Sequence, residues 1–302
     1  MFHRILEAFA SRRIFHNWLS AAITYLLWEK SILKIDCIRV ICKSNNNDIC
    51  IEPGFYGRIV RGYYMGYIKD VYCEDVYLVL NGLRLLLKPI FNGVFWDLGF
   101  AKFVNFRDVE VFLKQPYSLA NVIDRTVVDV GAYVGDSAIY FVLRGAKKVI
   151  AIEPHPGAYQ EMLENIRLNN MGDRIIPVNA GLASKPSFIS IENFDIDQTL
   201  GTYYRPSLTG SVRAITLEEL IKQFNIDPSD TILKMDCEGC EYDVVLNDYK
   251  HVKLFRELIM EYHEDEKQHL TDIIKLLSND YNCRIIKEKK NVGILHCVRR
   301  LR

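Results

Sequence analysis

The sequence predicts an α/β chain. Its main part reads as a doubly wound, mostly parallel sheet of seven strands with an antiparallel C-terminal hairpin, preceded by a helical and strand-rich N-terminal region. Three observations predict this. From Pro116 on, short apolar runs alternate with helical patterns, which implies right-handed crossovers between parallel strands. A glycine-bearing turn, Asp129-Val130-Gly131-Ala132-Tyr133-Val134-Gly135-Asp136, directly follows the first of those runs. The tail then leaves that rhythm and ends in two strands joined by a polar turn.

Residues 1–34 contain no Gly or Pro and place Ile5, Leu6, Phe9, Ile14 and Trp18 near helical spacing, which predicts an N-terminal helical arm. Residues 35–115 read as strand-rich and carry no chemical motif, so substrate or oligomer contacts are expected of them. The clearest signal there is Val76–Leu80, Asn81-Gly82, then Leu83–Leu87, because both central residues of a two-residue hairpin turn need positive φ. Asn45–Asp48 marks a second turn. Residues 116–302 form the α/β domain. Its strands are predicted at Thr126–Val130, Lys148–Ile152, Ile175–Ala180, Thr231–Asp236, Leu258–Tyr262, Cys283–Lys287 and Gly293–Val298, the last two joined through Lys289-Lys290-Asn291. Helices are predicted from the turn to Leu143 and over Ala158–Asn169, Leu217–Phe224 and Glu266–Leu277.

Composition narrows the function classes. The chain has 302 residues, 49% hydrophobic and 25% charged, with 38 Lys and Arg balancing 38 Asp and Glu, as in an ordinary globular protein. A net charge of +0 supplies no global field for a phosphate backbone, so no nucleic-acid partner is expected. The eight cysteines follow no framework spacing and no secretory h-region precedes them, which predicts reduced thiols and a cytoplasmic location. Cys237 and Cys240 lack the further ligands of a zinc site. The longest apolar run, Trp18–Trp28, is shorter than the ~20 residues of a spanning helix. Arg4, Arg12 and Arg13 precede it and two Trp bracket it, so peripheral membrane contact is an alternative to packing on the chain itself or on a second subunit. The oligomeric state is left open.

The turn carries the chemistry. In an open α/β sheet the ligand sits at the carboxyl ends of the strands, where strand order reverses. Gly131 and Gly135 let backbone approach a ligand, and the next helix presents free N–H groups. Glu153 follows eighteen residues after Gly135, at the end of the second strand, where a carboxylate accepts two ribose hydroxyls. An NAD-dependent oxidoreductase of Rossmann type also uses glycines and an acid, but it wants Gly where Tyr133 stands. S-adenosylmethionine has no pyrophosphate and suits this turn better.

The stretch VVDVGAYVGDSAIYFVLRGAKKVIAIEPHPGAYQEMLENIRLNN, followed by RAITLEELI, ILKMDCEGCEYDVV and LIMEYHED, resembles the FkbM-type methyltransferases of the class I fold over about residues 120–265. The resemblance implies methyl transfer from S-adenosylmethionine to a hydroxyl on a sugar, glycan or other small molecule. By position it implies a cofactor turn of Asp129, Gly131, Ala132, Tyr133, Gly135 and Asp136, with Glu153 at the ribose, Asn179 and Ala180 by the adenine, and Pro154 also among the cofactor-binding residues. The family's usual Asn in this turn is Tyr133 here. The terminal hairpin also separates this version of the sheet from most dinucleotide-binding versions.

Candidate catalytic groups lie at the fourth and fifth strand ends. Alternation puts Lys234 and Asp236 on one face, Glu238 follows in the turn, and Glu261 shares a face with His263. Methyl transfer needs in-line alignment and removal of the acceptor proton. His263 is the expected base because its ordinary pKa is about 6.5, with Asp236 or Glu238 second. A divalent metal held by these groups is a less favoured route, and no residue is assigned as a ligand. A non-catalytic partner subunit retaining the fold is the remaining alternative.

Overall fold

A computed structural model describes residues 2–51, 53–64, 71–73, 77–80, 83–86, 116–190, 206–207, 210–266, 268–287 and 291–300. The chain divides into two compact units, Met1–Gln115 and Pro116–Arg302.

In the first unit the N-terminal arm is two helices rather than one. Helix α1 (Phe2–Ala10) runs into a 3-10 turn at Ser11–Arg13, and α2 (Trp18–Glu29) follows. The break arises because Ile14 and Phe15 turn inward to the core, where Phe15 bridges to Cys42. Strands β1 (Ile38–Ile41) and β2 (Asp48–Ile51) pair antiparallel about the Asn45–Asp48 turn, with Asn46 at φ 60°. Helix α3 (Pro53–Tyr64) lies inside the region expected to be strand-rich. Pro53 suits a first helical turn. Gly57 is not a breaker there: a Cβ at that position would stand 2.4 Å from the Tyr25 hydroxyl, so its bareness lets α2 press against α3. Strands β3 (Val71–Cys73), β4 (Tyr77–Leu80) and β5 (Leu83–Leu86) form a small antiparallel sheet. The pairing Leu80↔Leu83 is that of the expected hairpin, whose turn residues Asn81 and Gly82 lie outside the described residues.

The second unit is the seven-stranded sheet. Its strands are β6 (Thr126–Val130), β7 (Lys148–Ile152), β8 (Ile175–Val178), β13 (Thr231–Met235), β14 (Glu257–His263), β15 (Tyr281–Lys287) and β16 (Val292–Arg299). They stand in the order β15-β16-β14-β13-β6-β7-β8. Pairing is parallel from β14 through β8, and β16 is antiparallel to both β14 and β15, as the terminal hairpin predicts. β6 and β13 are buried almost throughout, because helices cover both faces. Those helices are α4 (Asp136–Leu143), α5 (Pro156–Leu168), α6 (Leu217–Gln223), α7 (Cys240–Asn247), α8 (Tyr249–Val252) and α9 (Leu270–Leu277). α6 starts where Thr216 and Glu219 close a capping box, which satisfies two free N–H groups. Leu233, Leu258 and Met260 of the sheet pack with Val244, Val245 and Ile273 of the helices in one core.

Two further features were not expected. Between β8 and α6 lies a second small sheet, β11 (Pro206–Ser207), β10 (Ser187–Ile189), β12 (Val212–Ile215) and β9 (Gly181–Leu182), in that order. The expectation of reduced thiols is also overturned. All eight cysteines are paired, as Cys37–Cys50, Cys42–Cys73, Cys237–Cys240 and Cys283–Cys297. The partners are distant in sequence or hidden in a turn, so their spacing announces nothing. Disulfides in such number belong to oxidising compartments or to intracellular proteins of hyperthermophiles, so cysteine usage gives no ground for a reducing cytoplasm. Among the described residues, no helix is long and apolar enough to cross a membrane.

Candidate cofactor and acceptor site

Strand order reverses between β6 and β13, and the glycine turn stands there, at the carboxyl end of β6. Gly131 and Ala132 both donate their N–H to Ile152 O, 3.0 Å away each, which folds the turn over the end of β7. Gly131 and Gly135 have φ of 72° and 85°, as a left-handed turn requires. A Cβ on Gly131 would lie 1.8 Å from the Asp236 carbonyl oxygen, and one on Gly135 2.8 Å from Met162 Cγ. The first glycine is therefore bare to admit the backbone of the neighbouring strand end, rather than only to admit a ligand. Tyr133 also adopts positive φ, 47°, a conformation in which Asn is less strained than Tyr.

Beneath the turn the charges are consumed. Lys234, 1% exposed, ion-pairs with Asp129 Oδ1 at 2.9 Å and donates to Val130 O and Gly131 O at 3.2 and 2.8 Å. An ammonium has three hydrogens, and all are spent. Burial alone would lower the Lys234 pKa, but Asp129, Asp236 and Asp136 together raise it. Asp129 takes its second bond from Ser137 Oγ at 2.6 Å and is fully buried. Lys234 thus braces β13 against the turn, with its ammonium directed at Asp129 and two carbonyls. Asp129 likewise shapes the turn from below. Asp136 is buried at the start of α4, and burial pushes its carboxyl up to about 7.

Glu153, expected to hold the ribose, stands at the end of its strand. Glu153 follows β7, with Oε2 accepting the Tyr133 N–H at 2.9 Å and Oε1 the His155 N–H at 2.8 Å. Each carboxylate oxygen has two lone-pair sites, so one on each is left for a diol. Burial raises this carboxyl to about 7 despite those two N–H donors. Asn179 donates its amide to Glu153 O and Pro154 O at 2.9 and 3.2 Å, while Ala180 is buried beyond it. Asn179 and Pro154 therefore hold the loop that carries the acid. The donor set fits S-adenosylmethionine: a bidentate buried carboxylate beside a turn of close-approaching backbone.

The acids form a second cluster against the first. Asp236 N donates to Val130 O at 3.0 Å, and its Oδ2 accepts the Tyr117 hydroxyl at 2.9 Å. Glu238 sits at φ 53° in the following turn. His263 Nε2 faces Glu261 Oε1 at 3.4 Å and Glu238 Oε2 at 3.7 Å. The structure thus gathers Asp236, Glu238, Glu261 and His263 beside Gly131. Burial would lower the His263 pKa, but the bond to Glu261 and the charges of Glu238, Glu261 and Asp236 prevail and raise it to about 9. These acids favour the charged imidazole at neutral pH, where its ordinary pKa would leave it mostly neutral. Among the described residues, no group of three or more His, Cys, Asp or Glu is arranged to hold a metal ion.

Three supporting residues went unnoticed in the sequence. Tyr117, 2% exposed, positions Asp236, and the Lys234 ammonium stands 5.4 Å from its ring centre. Glu241 accepts the N–H of Cys237 and Gly239 at 2.6 and 2.8 Å, pinning the acid turn, and burial raises it to about 7. Asn165 donates to Val134 O at 2.7 Å from inside α5. Only Glu241, an acid in a helix's first turn, left a readable signal. The Cys237–Cys240 disulfide closes the same turn.

The Methyltransferase FkbM domain profile matches residues 129–285, just over half of the chain. Two curated relatives are each 33% identical. One is a tRNA(Phe) (4-demethylwyosine(37)-C(7)) aminocarboxypropyltransferase of Pyrococcus horikoshii, aligned over 116 residues, 38% of this chain and 41% of that protein. The other is a ribosomal protein L11 methyltransferase of Geobacter sp., aligned over 70 residues, 23% of each. The chain thus spans less than half the length of these relatives. Among solved structures, methyltransferase FkbM from Methylobacillus flagellatus KT shares 17% identity at a TM-score of 0.44, covering 68% of this chain and 55% of that one. An O-methyltransferase from Bacillus cereus in complex with SAH shares 14% at 0.38, covering 58% and 74%.

Proposed function

The chain belongs to the FkbM methyltransferase family, and we propose that it methylates a hydroxyl oxygen on a sugar, glycan or other small molecule, using S-adenosylmethionine. The observation that supports the reading best is the contact between the two clusters. Gly131, in the cofactor turn, abuts the backbone of Asp236, in the acid turn. A bound cofactor and a carboxylate able to take the acceptor proton would then be neighbours.

Bound S-adenosylmethionine supplies an electrophilic methyl group on a sulfonium. Glu153 would hold the ribose diol, and the turn Gly131–Gly135 would lie against the rest of the cofactor. Asp236, oriented by the Tyr117 hydroxyl, accepts the acceptor's proton as the oxygen–methyl bond forms. The His263 imidazolium orients Glu238 and Glu261 toward the same space. Holding nucleophile, methyl and sulfonium in line would supply part of the rate advantage of such a displacement.

Titration calorimetry with S-adenosylmethionine is the first test, with Glu153→Ala expected to weaken binding at least tenfold. An intact protein that binds no cofactor would refute the reading, as would tight NADH binding in its place. Cofactor labelled at the methyl group, incubated with cell extract, then identifies the acceptor. The spent cofactor should be S-adenosylhomocysteine. Methylthioadenosine would instead indicate transfer of the aminocarboxypropyl group, the chemistry named for the Pyrococcus relative.

A further inference from the structure

Helix α2 is apolar nearly all round, a composition that ordinarily belongs to a buried helix. Its inner side packs through Ala21 and Ala22. On its outer side Leu19, Ile23 and Leu27 recur at every fourth position, which makes one stripe, and they are 56%, 50% and 36% exposed.

A basic recess adjoins the head of that stripe. The His16 N–H donates to Ile41 O at 2.8 Å and the Lys43 N–H to Ile14 O at 2.9 Å, so the segment before α2 is laced to the end of β1. Asn17 adds bonds to the backbone of Arg39 and Ile41 at 2.9 and 2.8 Å. This lacing brings Arg12, Arg13, His16 and Lys43 around one open recess with Trp18. Phe9, 47% exposed, sits edge-on to Trp18 at 5.5 Å and under the Arg12 guanidinium at 4.2 Å. The chain's zero net charge hides a local excess: residues 1–43 hold seven Lys and Arg against three Asp and Glu.

We propose that the recess at Arg12, Arg13, His16 and Lys43, together with the Leu19–Ile23–Leu27 stripe of α2, is a docking surface for an anionic lipid bilayer. The charge match selects this occupant. Cations at the head of an exposed apolar stripe, with a Trp and a Phe at their junction, suit a surface whose phosphates lie above its hydrocarbon. A nucleic acid would engage the cations but leave the aliphatic stripe uncovered. A second copy of the chain would cover the stripe but bring an equally basic recess to the contact. The inference is independent of the methyl-transfer reading.

Vesicle co-sedimentation of the full chain tests it, using phosphatidylcholine alone and equal parts of phosphatidylcholine and phosphatidylglycerol. Binding is expected to the mixed vesicles only and to weaken with salt. Arg12→Gln with Arg13→Gln should lower partitioning about fivefold per charge removed. Ile23→Ser with Leu27→Ser should weaken binding at unchanged charge. Circular dichroism confirms that each exposed-site variant is folded. The proposal is overturned by absence of binding to mixed vesicles, by equal binding to neutral ones, or by indifference to either pair of substitutions. It is also overturned if a dimer that Ile23→Ser with Leu27→Ser dissociates, or tRNA binding that needs Arg12 and Arg13, occurs without vesicle binding.

Discussion

Lys234 and His263 carry opposite lessons about charge. Both were expected near the chemistry because alternation and strand-end position aim them there. Lys234 is instead enclosed by Asp129 and two carbonyls. Replacing it by Met should cost about 3–5 kcal/mol of stability by leaving Asp129 buried and uncompensated, measurable by urea unfolding. A variant of wild-type stability but low turnover would instead restore a chemical role. For His263, the folded pKa of about 9 exceeds its ordinary 6.5, so the charged form persists through neutral pH. The stabilisation it contributes is complete below about 6.5 and is lost as pH rises through about 9. If the imidazolium organises the acids, turnover should hold through neutrality and fall above about pH 9. A rate that climbs toward pH 9 would make neutral His263 the base. No sequence pattern reveals which acids surround a histidine, and so its titration was illegible beforehand.

Elements were read well where burial repeats a simple period and poorly where a residue serves packing across elements. β6, β7, β13 and β14 are short apolar runs whose limits fall within a residue of those expected, because a central parallel strand must be apolar on both faces. Helix α3 was hidden by Gly54 and Gly57, which look like breakers in isolation. The small sheet β9–β12 has strands of only two to four residues, too short for any period to show. β15 and β16 were legible, but their cross-link was not. Cys283 and Cys297 face each other directly in the ladder. Cys283→Ser with Cys297→Ser should lower stability by about 3 kcal/mol, the effect of freeing a loop of this size in the unfolded chain, and calorimetric melting would show it. An unchanged melting temperature would mean that the ladder holds without the bond.

Across the whole molecule, the site leaves an acid signature on stability. Asp136, Glu153 and Glu241 are raised to about 7 and Glu161 to about 8, chiefly by burial, from ordinary values of 3.8 for the Asp and 4.5 for each Glu. The folded state therefore holds more protons than the unfolded one between about pH 4 and 8. Stability of the cofactor-free protein should fall across that window, by up to roughly 1.4 kcal/mol per pH unit for each group. Both Glu161 oxygens are buried without a hydrogen-bond partner, so Glu161→Gln should flatten the slope, most visibly in urea titrations near pH 8. A protein equally stable at pH 5 and pH 8 would contradict the burial of these carboxyls.

The fit of Gly131 against the Asp236 carbonyl also bears on redesign. With no space for even a methyl group between the two turns, the segment from Asp236 to Cys240 is not an exchangeable loop. An acceptor-specificity graft that enters at Asp236 would have to bring its donor's glycine turn with it. Single side-chain changes at Glu238 or the end of β14 would leave that backbone seam intact, so they can be made without rebuilding the glycine turn.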